Sequence, residues 1–190
     1  MRLLGLDLAT DFPDRVEKLV LVDCSDFSGK IPISFKLSTL PFIGNFIGNI
    51  LLGPRFLVSH STIKLVIKRQ FYNPGGIEPE WIDAAYAHLT SPARNRTLLN
   101  IMKTFNDNNE SDATSSVADW LSKVTQPVLI IHGKQDRIVP SSQAYNLSKM
   151  IPDAKLEVFD RCGHNPQLEK PSEFNESVLK FLIASMEIKA

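Results

Sequence analysis

Cysteine is nearly absent from this chain, with only Cys24 and Cys162 in 190 residues. A single pair in a chain of this size is no disulfide framework, so reduced thiols in a cytoplasmic setting are expected. An excess of either charge is also missing, since Lys plus Arg and Asp plus Glu both number 21. That balance excludes partners attracted by bulk field, nucleic acid first among them. No apolar run reaches the ~20 residues of a membrane-spanning helix. The nearest contender, Ile43 to Val58, is broken by Gly44, Gly48, Gly53, Pro54 and Arg55 and reads as a buried or lid helix. The apolar N-terminus is interrupted by Asp7 and Asp11 before it reaches signal-peptide length. Internal repeats are lacking. So is any compact ligand spacing such as H-E-x-x-H, which argues against His132, Asp136, Asp160 and His164 as a metal site.

What is present is an alternation of strand and helix patterns. Leu4, Leu8 and Phe12 recur every four residues between Arg2 and Phe12, with Gly5 and Ala9 beside them, which predicts a helix with one apolar face. Pro13 ends it. The run Val16 to Asp23 then predicts a parallel strand buried on both faces. Val128-Leu129-Ile130-Ile131 predicts a second strand, and Lys155 to Phe159 a third, half-buried one. Helical patterns follow at Ser141 to Met150 and Ser172 to Met186, the latter with Ser172 as its N-cap and Phe174, Val178, Phe181 and Leu182 as its apolar stripe. This order signals a parallel α/β sheet. Between about Ser25 and Thr125 there is no convincing strand, and prolines 41, 54, 74, 79 and 92 punctuate short helical stretches. Such a length is too great for a loop and reads as an inserted helical lid. Trp81, Tyr86, Phe71 and Tyr72 are expected there as core first and pocket wall second.

The chemistry-bearing segment is Val128-Leu129-Ile130-Ile131-His132-Gly133-Lys134-Gln135-Asp136, followed by Cys162-Gly163-His164 and then Gln167, Glu169, Lys170 and Pro171. It resembles the α/β-hydrolase superfamily, where a strand ends in glycine, an acid follows three residues later, and a histidine lies on the loop after the next strand. A carboxylate there accepts one imidazole N–H, so that the other ring nitrogen can take a proton from a nucleophile and return it to a leaving group. The resemblance extends to the terminal helix around Phe174, Val178 and Phe181, as in hydrolases of small esters or carbon–carbon bonds, and to Phe12 through Val16. It implies a partial α/β-hydrolase fold of about three parallel strands with packed helices. The core would come from residues 1–25 and 117–190, and the helical lid from residues 26–116. Asp136 and His164 would be catalytic, with no cofactor or metal, and the substrate would be a small apolar molecule.

One element of the family pattern is missing: no G-x-S-x-G nucleophile turn occurs in these residues. Family spacing back from Pro13 places the nucleophile before Met1, together with the strands and oxyanion loop that accompany it. The chain therefore reads as a truncated hydrolase, inactive as it stands, with an esterase-like reaction expected of an intact form. A non-catalytic ligand-binding or interaction protein, or an inert fragment, is the alternative. Ser25 is weighed as a substitute nucleophile and read as a turn hydroxyl, Asp23 is weighed as a second acid and read first as a structural cap, and Cys162 is read as small buried packing. The strand Leu19 to Val22, with neither proline nor charge in it, is expected to offer an unpaired edge for self-association.

Overall fold

The computed structural model describes residues 4–26, 60–89, 91 and 114–184. Chain contacts divide it into two units. The first comprises Gly29–Lys68 and Gly75–Ala113, and the second Arg2–Ser28, Arg69–Pro74 and Thr114–Ala190. The Ile43 to Val58 run lies outside the described residues.

In the second unit the chain forms helix α1 (Leu4–Asp11), strand β1 (Leu19–Val22), helix α4 (Thr114–Leu121), β2 (Val128–Gly133), α5 (Ser141–Met150), β3 (Ala154–Phe159), the short α6 (Pro166–Glu169) and α7 (Pro171–Ile183). Helices α2 (His60–Gln70) and α3 (Pro79–Leu89) lie between β1 and α4 in the chain. The sheet has the order β1-β2-β3, all parallel, with Leu19 opposite Val128 and Val128 opposite Ala154. Parallel pairing follows from composition. Val128, Leu129, Ile130 and Ile131 are all fully buried, and only a strand covered on both faces can bury successive side chains that point to opposite sides.

Two cores result. On one face Leu21, Val128 and Ile130 pack with Leu6, Trp120, Leu121, Val124, Ala144 and Leu147, so α1, α4 and α5 cover it. On the other, Leu129 and Ile131 pack with Phe159 and Cys162, and Phe174, Val178 and Phe181 of α7 close over them. Strand β2 supplies both cores with fully buried side chains, Val128 and Ile130 to one and Leu129 and Ile131 to the other.

The buried face of α1 is rotated from the one its sequence suggests. Leu8 and Phe12 are exposed, whereas Leu6 and Ala9 are buried. The cause is polar: Gln126 donates to the Ala9 and Pro13 carbonyls, and the Trp120 indole N–H donates to Thr10, so the Leu6–Ala9–Thr10 face must turn inward. Helix α7 begins one residue earlier than expected, with Pro171 in its first turn, Lys170 at the N-cap position and no side-chain capping bond from Ser172. Proline suits that position because its missing N–H would have no helical partner. Leu182 is exposed rather than part of the buried stripe.

Within the first unit the described segments are helical, and Ile63 and Ile82 form a small core with Ile67, Ile77, Ala85 and Tyr86 around it. Of the aromatic residues expected as core, Phe71 is buried, while Tyr72 and Trp81 are exposed.

Because Ile130 is fully buried in the central strand, its truncation to alanine removes contacts that neighbouring strands cannot replace. Ile130→Ala is expected to cost about 2 to 5 kcal/mol in urea unfolding. A loss below about 1 kcal/mol would show that β2 is not the shared element of both cores.

Candidate active site

Each strand of the sheet ends in a loop that carries an ionisable side chain: Asp23 directly after β1, Asp136 three residues after β2, and His164 five residues after β3. Parallel strands put all their carboxyl ends on one side, so residues far apart in sequence converge there.

Two glycines allow the loops to meet. A Cβ on Gly133 would lie 1.8 Å from the Gly163 carbonyl oxygen, and one on Gly163 would lie 2.4 Å from the carbonyl oxygen of Gln70. Neither position admits a side chain without backbone displacement. Hydrogen bonds then lock the contact. Lys134 N–H donates to the Phe159 carbonyl, Gln135 N–H to the Cys162 carbonyl at 2.9 Å, and Cys162 N–H to the Gln135 side-chain oxygen at 3.1 Å. Glu169 completes the clamp. Its Oε1 accepts the Gly163 N–H at 2.7 Å and its Oε2 the Tyr72 N–H at 2.6 Å, while His164 N–H donates to the Gln70 carbonyl at 2.7 Å.

Asp136 orients itself. Its Oδ1 accepts the N–H groups of Ile138 (2.7 Å) and Val139 (3.0 Å), an Asx-type turn that fixes the carboxylate plane. The other oxygen, Oδ2, is left for His164 Nδ1 at 2.7 Å. Since a carboxylate can only accept, Nδ1 carries the proton in this pair. The carboxylate is fully buried, while the imidazole side chain is 27% exposed. Hydrogen bonding to Asp136 raises the His164 pKa, against the opposing pull of burial.

A second acid and a second imidazole adjoin the pair. Asp23 has a left-handed backbone, φ 47°, which short polar side chains tolerate, and its Oδ1 accepts the Gly133 N–H at 3.0 Å. Burial pushes its carboxyl up to about 6, partly offset by that N–H. His132 is fully buried, with Nε2 2.9 Å from the Val139 carbonyl and 3.4 Å from Asp136 Oδ2. Asp23, Asp136 and His164 each offer an atom within 4.8 Å of the others, a spacing that could suit a cation. Both oxygens of Asp136, however, already accept backbone and imidazole N–H groups.

The structure thus brings Asp136 and His164 together and adds Asp23, which the sequence reading treats as a cap. Asp160 points elsewhere, bonding Gln135 and pairing with Lys134. Ser25 is exposed. Cys162 is buried in the core, and burial pushes its thiol up to about 12, so little thiolate nucleophile exists at neutral pH. Glu169 appears in the sequence motif without an assigned role. Asp23 had a legible signal, since it ends its strand with an acid as Asp136 does, whereas the Glu169 clamp depends on residues 72 and 163, which no spacing rule connects.

Comparison with known proteins adds the following. The family described as "alpha/beta hydrolase fold" matches residues 68–171. A 2-hydroxymuconate semialdehyde hydrolase of Pseudomonas putida is 30% identical over 185 residues, covering 94% of this chain and 58% of that protein. A pimeloyl-[acyl-carrier protein] methyl ester esterase of Nitrosomonas europaea is 43% identical over 61 residues, 32% of this chain and 24% of that protein. Among solved structures, a meta-cleavage product hydrolase from Pseudomonas fluorescens IP01 superposes with a TM-score of 0.66 at 22% identity, covering 94% of this chain and 60% of that one. The chain spans about three-fifths of the length of that Pseudomonas putida relative.

The raised His164 pKa makes stability depend on pH. The extra stabilisation of the protonated ring by Asp136 is present in full below the unfolded value of 6.5 and is lost as pH rises through the higher folded value. Urea unfolding between about pH 6 and 9 should therefore show stability falling as pH rises in the unmodified chain, with a clearly shallower fall in His164→Gln. Parallel profiles would show that the bond does not persist in solution.

Proposed function

The chain belongs to the alpha/beta hydrolase fold family, and from that membership we propose that it carries the acid and base of a hydrolytic triad acting on a carboxylic ester or a similar small apolar substrate. The observation that carries this reading is the 2.7 Å contact between Asp136 Oδ2 and His164 Nδ1 at the carboxyl ends of adjacent strands. Asp136 holds the ring in the tautomer that leaves Nε2 bare. Nε2 takes the proton from a nucleophile as it attacks the carbonyl carbon, and returns it to the leaving group as the tetrahedral intermediate collapses. Water then enters by the same route to release the acid.

The nucleophile is proposed to lie on a segment beyond these 190 residues, because no G-x-S-x-G turn occurs within them and the chain spans 58% of its Pseudomonas putida relative. A methyl ester esterase and a 2-hydroxymuconate semialdehyde hydrolase both stand among the similar proteins, so the second reading is an oxo-acid substrate of the latter kind, handled by the same base. Residues 26–116 are proposed as the lid over the substrate, in a cytoplasmic protein.

The 190-residue chain alone is expected to show no turnover of an activated ester or of 2-hydroxymuconate semialdehyde above background. Supplied with a nucleophile-bearing segment, it should turn over one of the two. His164→Ala and Asp136→Asn should each then lower kcat by about 10^4-fold or more. Turnover by the chain alone that vanishes in His164→Ala would refute the account of the nucleophile and direct attention to Ser25.

The open side of β1 supports a further proposal. Among the described residues this strand pairs only with β2, so Leu19 to Val22 present unpaired backbone groups along an apolar edge, a template for association with a second copy. Light scattering after size-exclusion chromatography should give a mass above the 21.3 kDa of one chain. A monodisperse monomer at tens of micromolar would count against it.

A further inference from the structure

Two buried polar atoms beside the acid–histidine pair have no hydrogen-bond partner among the described residues: Nδ1 of His132 and Oδ2 of Asp23. Their chemistry makes the coincidence informative. His132 Nε2 lies 2.9 Å from the Val139 carbonyl oxygen, which can only accept, so Nε2 carries a hydrogen. In the neutral ring Nδ1 is then a bare lone pair. The charged group nearest to it is Asp23 Oδ1, at 3.6 Å, just outside bonding distance. An ionised Asp23 and a neutral His132 would confront each other as two acceptors with no donor between them. The imidazole is fully buried and the carboxylate nearly so, where water cannot relieve either.

We propose that Asp23 and His132 hold one proton between them, and that this closed pair is a positioning device for Asp136, so that carboxylate and imidazole alternate through Asp23, His132, Asp136 and His164. A single proton between Nδ1 and Asp23 Oδ1 gives the orphaned ring nitrogen a partner once the 3.6 Å gap closes by a few tenths of an ångström. It also leaves the pair with no net charge, so Asp136 remains the one full negative charge directed at His164. Without that proton, a second buried carboxylate would stand beside Asp136 and weaken the preference of His164 for one oxygen. The pressure on Asp23 to stay protonated has a physical source in burial, which moves its carboxyl to about 6. The groups that face Asp23 are the Gly133 N–H and His132 from β2, Asp136 from the loop after it, and His164 and Cys162 from the loop after β3, with Cys24 next along the chain. None of these is a lysine or arginine that would hold Asp23 ionised.

The shared proton stands on geometry alone, and its bearing on catalysis rests on the reading of His164 as the base. Asp23→Asn is the discriminating variant. Asparagine keeps an oxygen for the Gly133 N–H and tolerates the positive φ, but has no carboxyl proton to share. The full chain, labelled with nitrogen-15 at histidine, would be followed by long-range proton–nitrogen correlation from about pH 5 to 8, with His60→Gln and His88→Gln assigning the remaining two rings. His132 Nδ1 is expected to resonate upfield of a bare ring nitrogen throughout the unmodified chain. In Asp23→Asn it should move toward the bare value, while His164 keeps its bonded Nδ1–H as evidence of an intact fold. A bare His132 Nδ1 signal in the unmodified chain, a measurement that does not depend on how the variant folds, would overturn the proposal. So would an unchanged signal in a folded Asp23→Asn. Loss of the His164 Nδ1–H bond in the unmodified chain would instead refute the catalytic reading and leave the Asp23–His132 proton standing.

Discussion

At Gly133 two pieces of backbone meet, with the carbonyls of Cys162 and Gly163 occupying the space a Cβ would need. Everything that gives this chain its chemistry depends on that contact. It sets the end of β2 against the loop after β3, so that the acid of one and the imidazole of the other meet at 2.7 Å. Around it lie Gln135, reaching across to the Cys162 N–H, and Glu169, holding the Gly163 and Tyr72 N–H groups with its two oxygens. A carboxylate that accepts two backbone N–H bonds at 2.6 and 2.7 Å makes charge-assisted contacts, stronger than ordinary amide bonds. The histidine loop is therefore held by interactions that involve no catalytic atom.

Electrostatics follow from the same packing. Three loops converge with two carboxylates and two imidazoles and, among the described residues, no lysine or arginine directly against them, so each charge is managed by N–H groups and by protons. Asp136 is managed by backbone: the Ile138 and Val139 N–H groups face one oxygen and the imidazole of His164 faces the other. Asp23 receives one backbone N–H and lies among apolar atoms, and burial raises its carboxyl. The two acids thus occupy similar places at the ends of neighbouring strands and differ in their hydrogen bonding, because one loop folds back on its carboxylate and the other does not. Divergent environments for paired acids are the usual means by which one site holds both a charged and an uncharged carboxyl.

The sheet was legible in the sequence wherever composition alone decides structure. Four consecutive branched apolar residues at 128–131 have no stable home except a strand covered on both sides, and the order of patterns dictates parallel pairing. The Asp136–His164 contact was legible because strand ends and loop lengths place it. What escaped was set by single polar contacts. The face of α1 is chosen by Gln126 and Trp120, more than a hundred residues away, and hydrophobic periodicity carries no record of them. Likewise the start of α7 is fixed by the geometry of Pro171 rather than by the hydroxyl of Ser172. His132 does lie at the end of its strand as the pattern suggests, but its bond to the Val139 carbonyl is one that strand periodicity does not record.

Lys18 donates to the carbonyls of Phe181 and Leu182 at the end of α7, 163 positions along the chain from the first of them, and its ammonium lies 5.2 Å from the Phe181 ring. One residue later begins the strand whose sheet partner starts at Val128. The order of synthesis therefore runs against the order of assembly. The unit β2–α5–β3 joins neighbours in sequence and can form as soon as it leaves the ribosome, but β1 must wait for both its sheet partner and the helix that anchors its approach. Until Val128 to Ile131 are made, Leu19 to Val22 lack the strand they pair with among the described residues, so this apolar segment waits for its partner and depends on whatever shields it in the meantime.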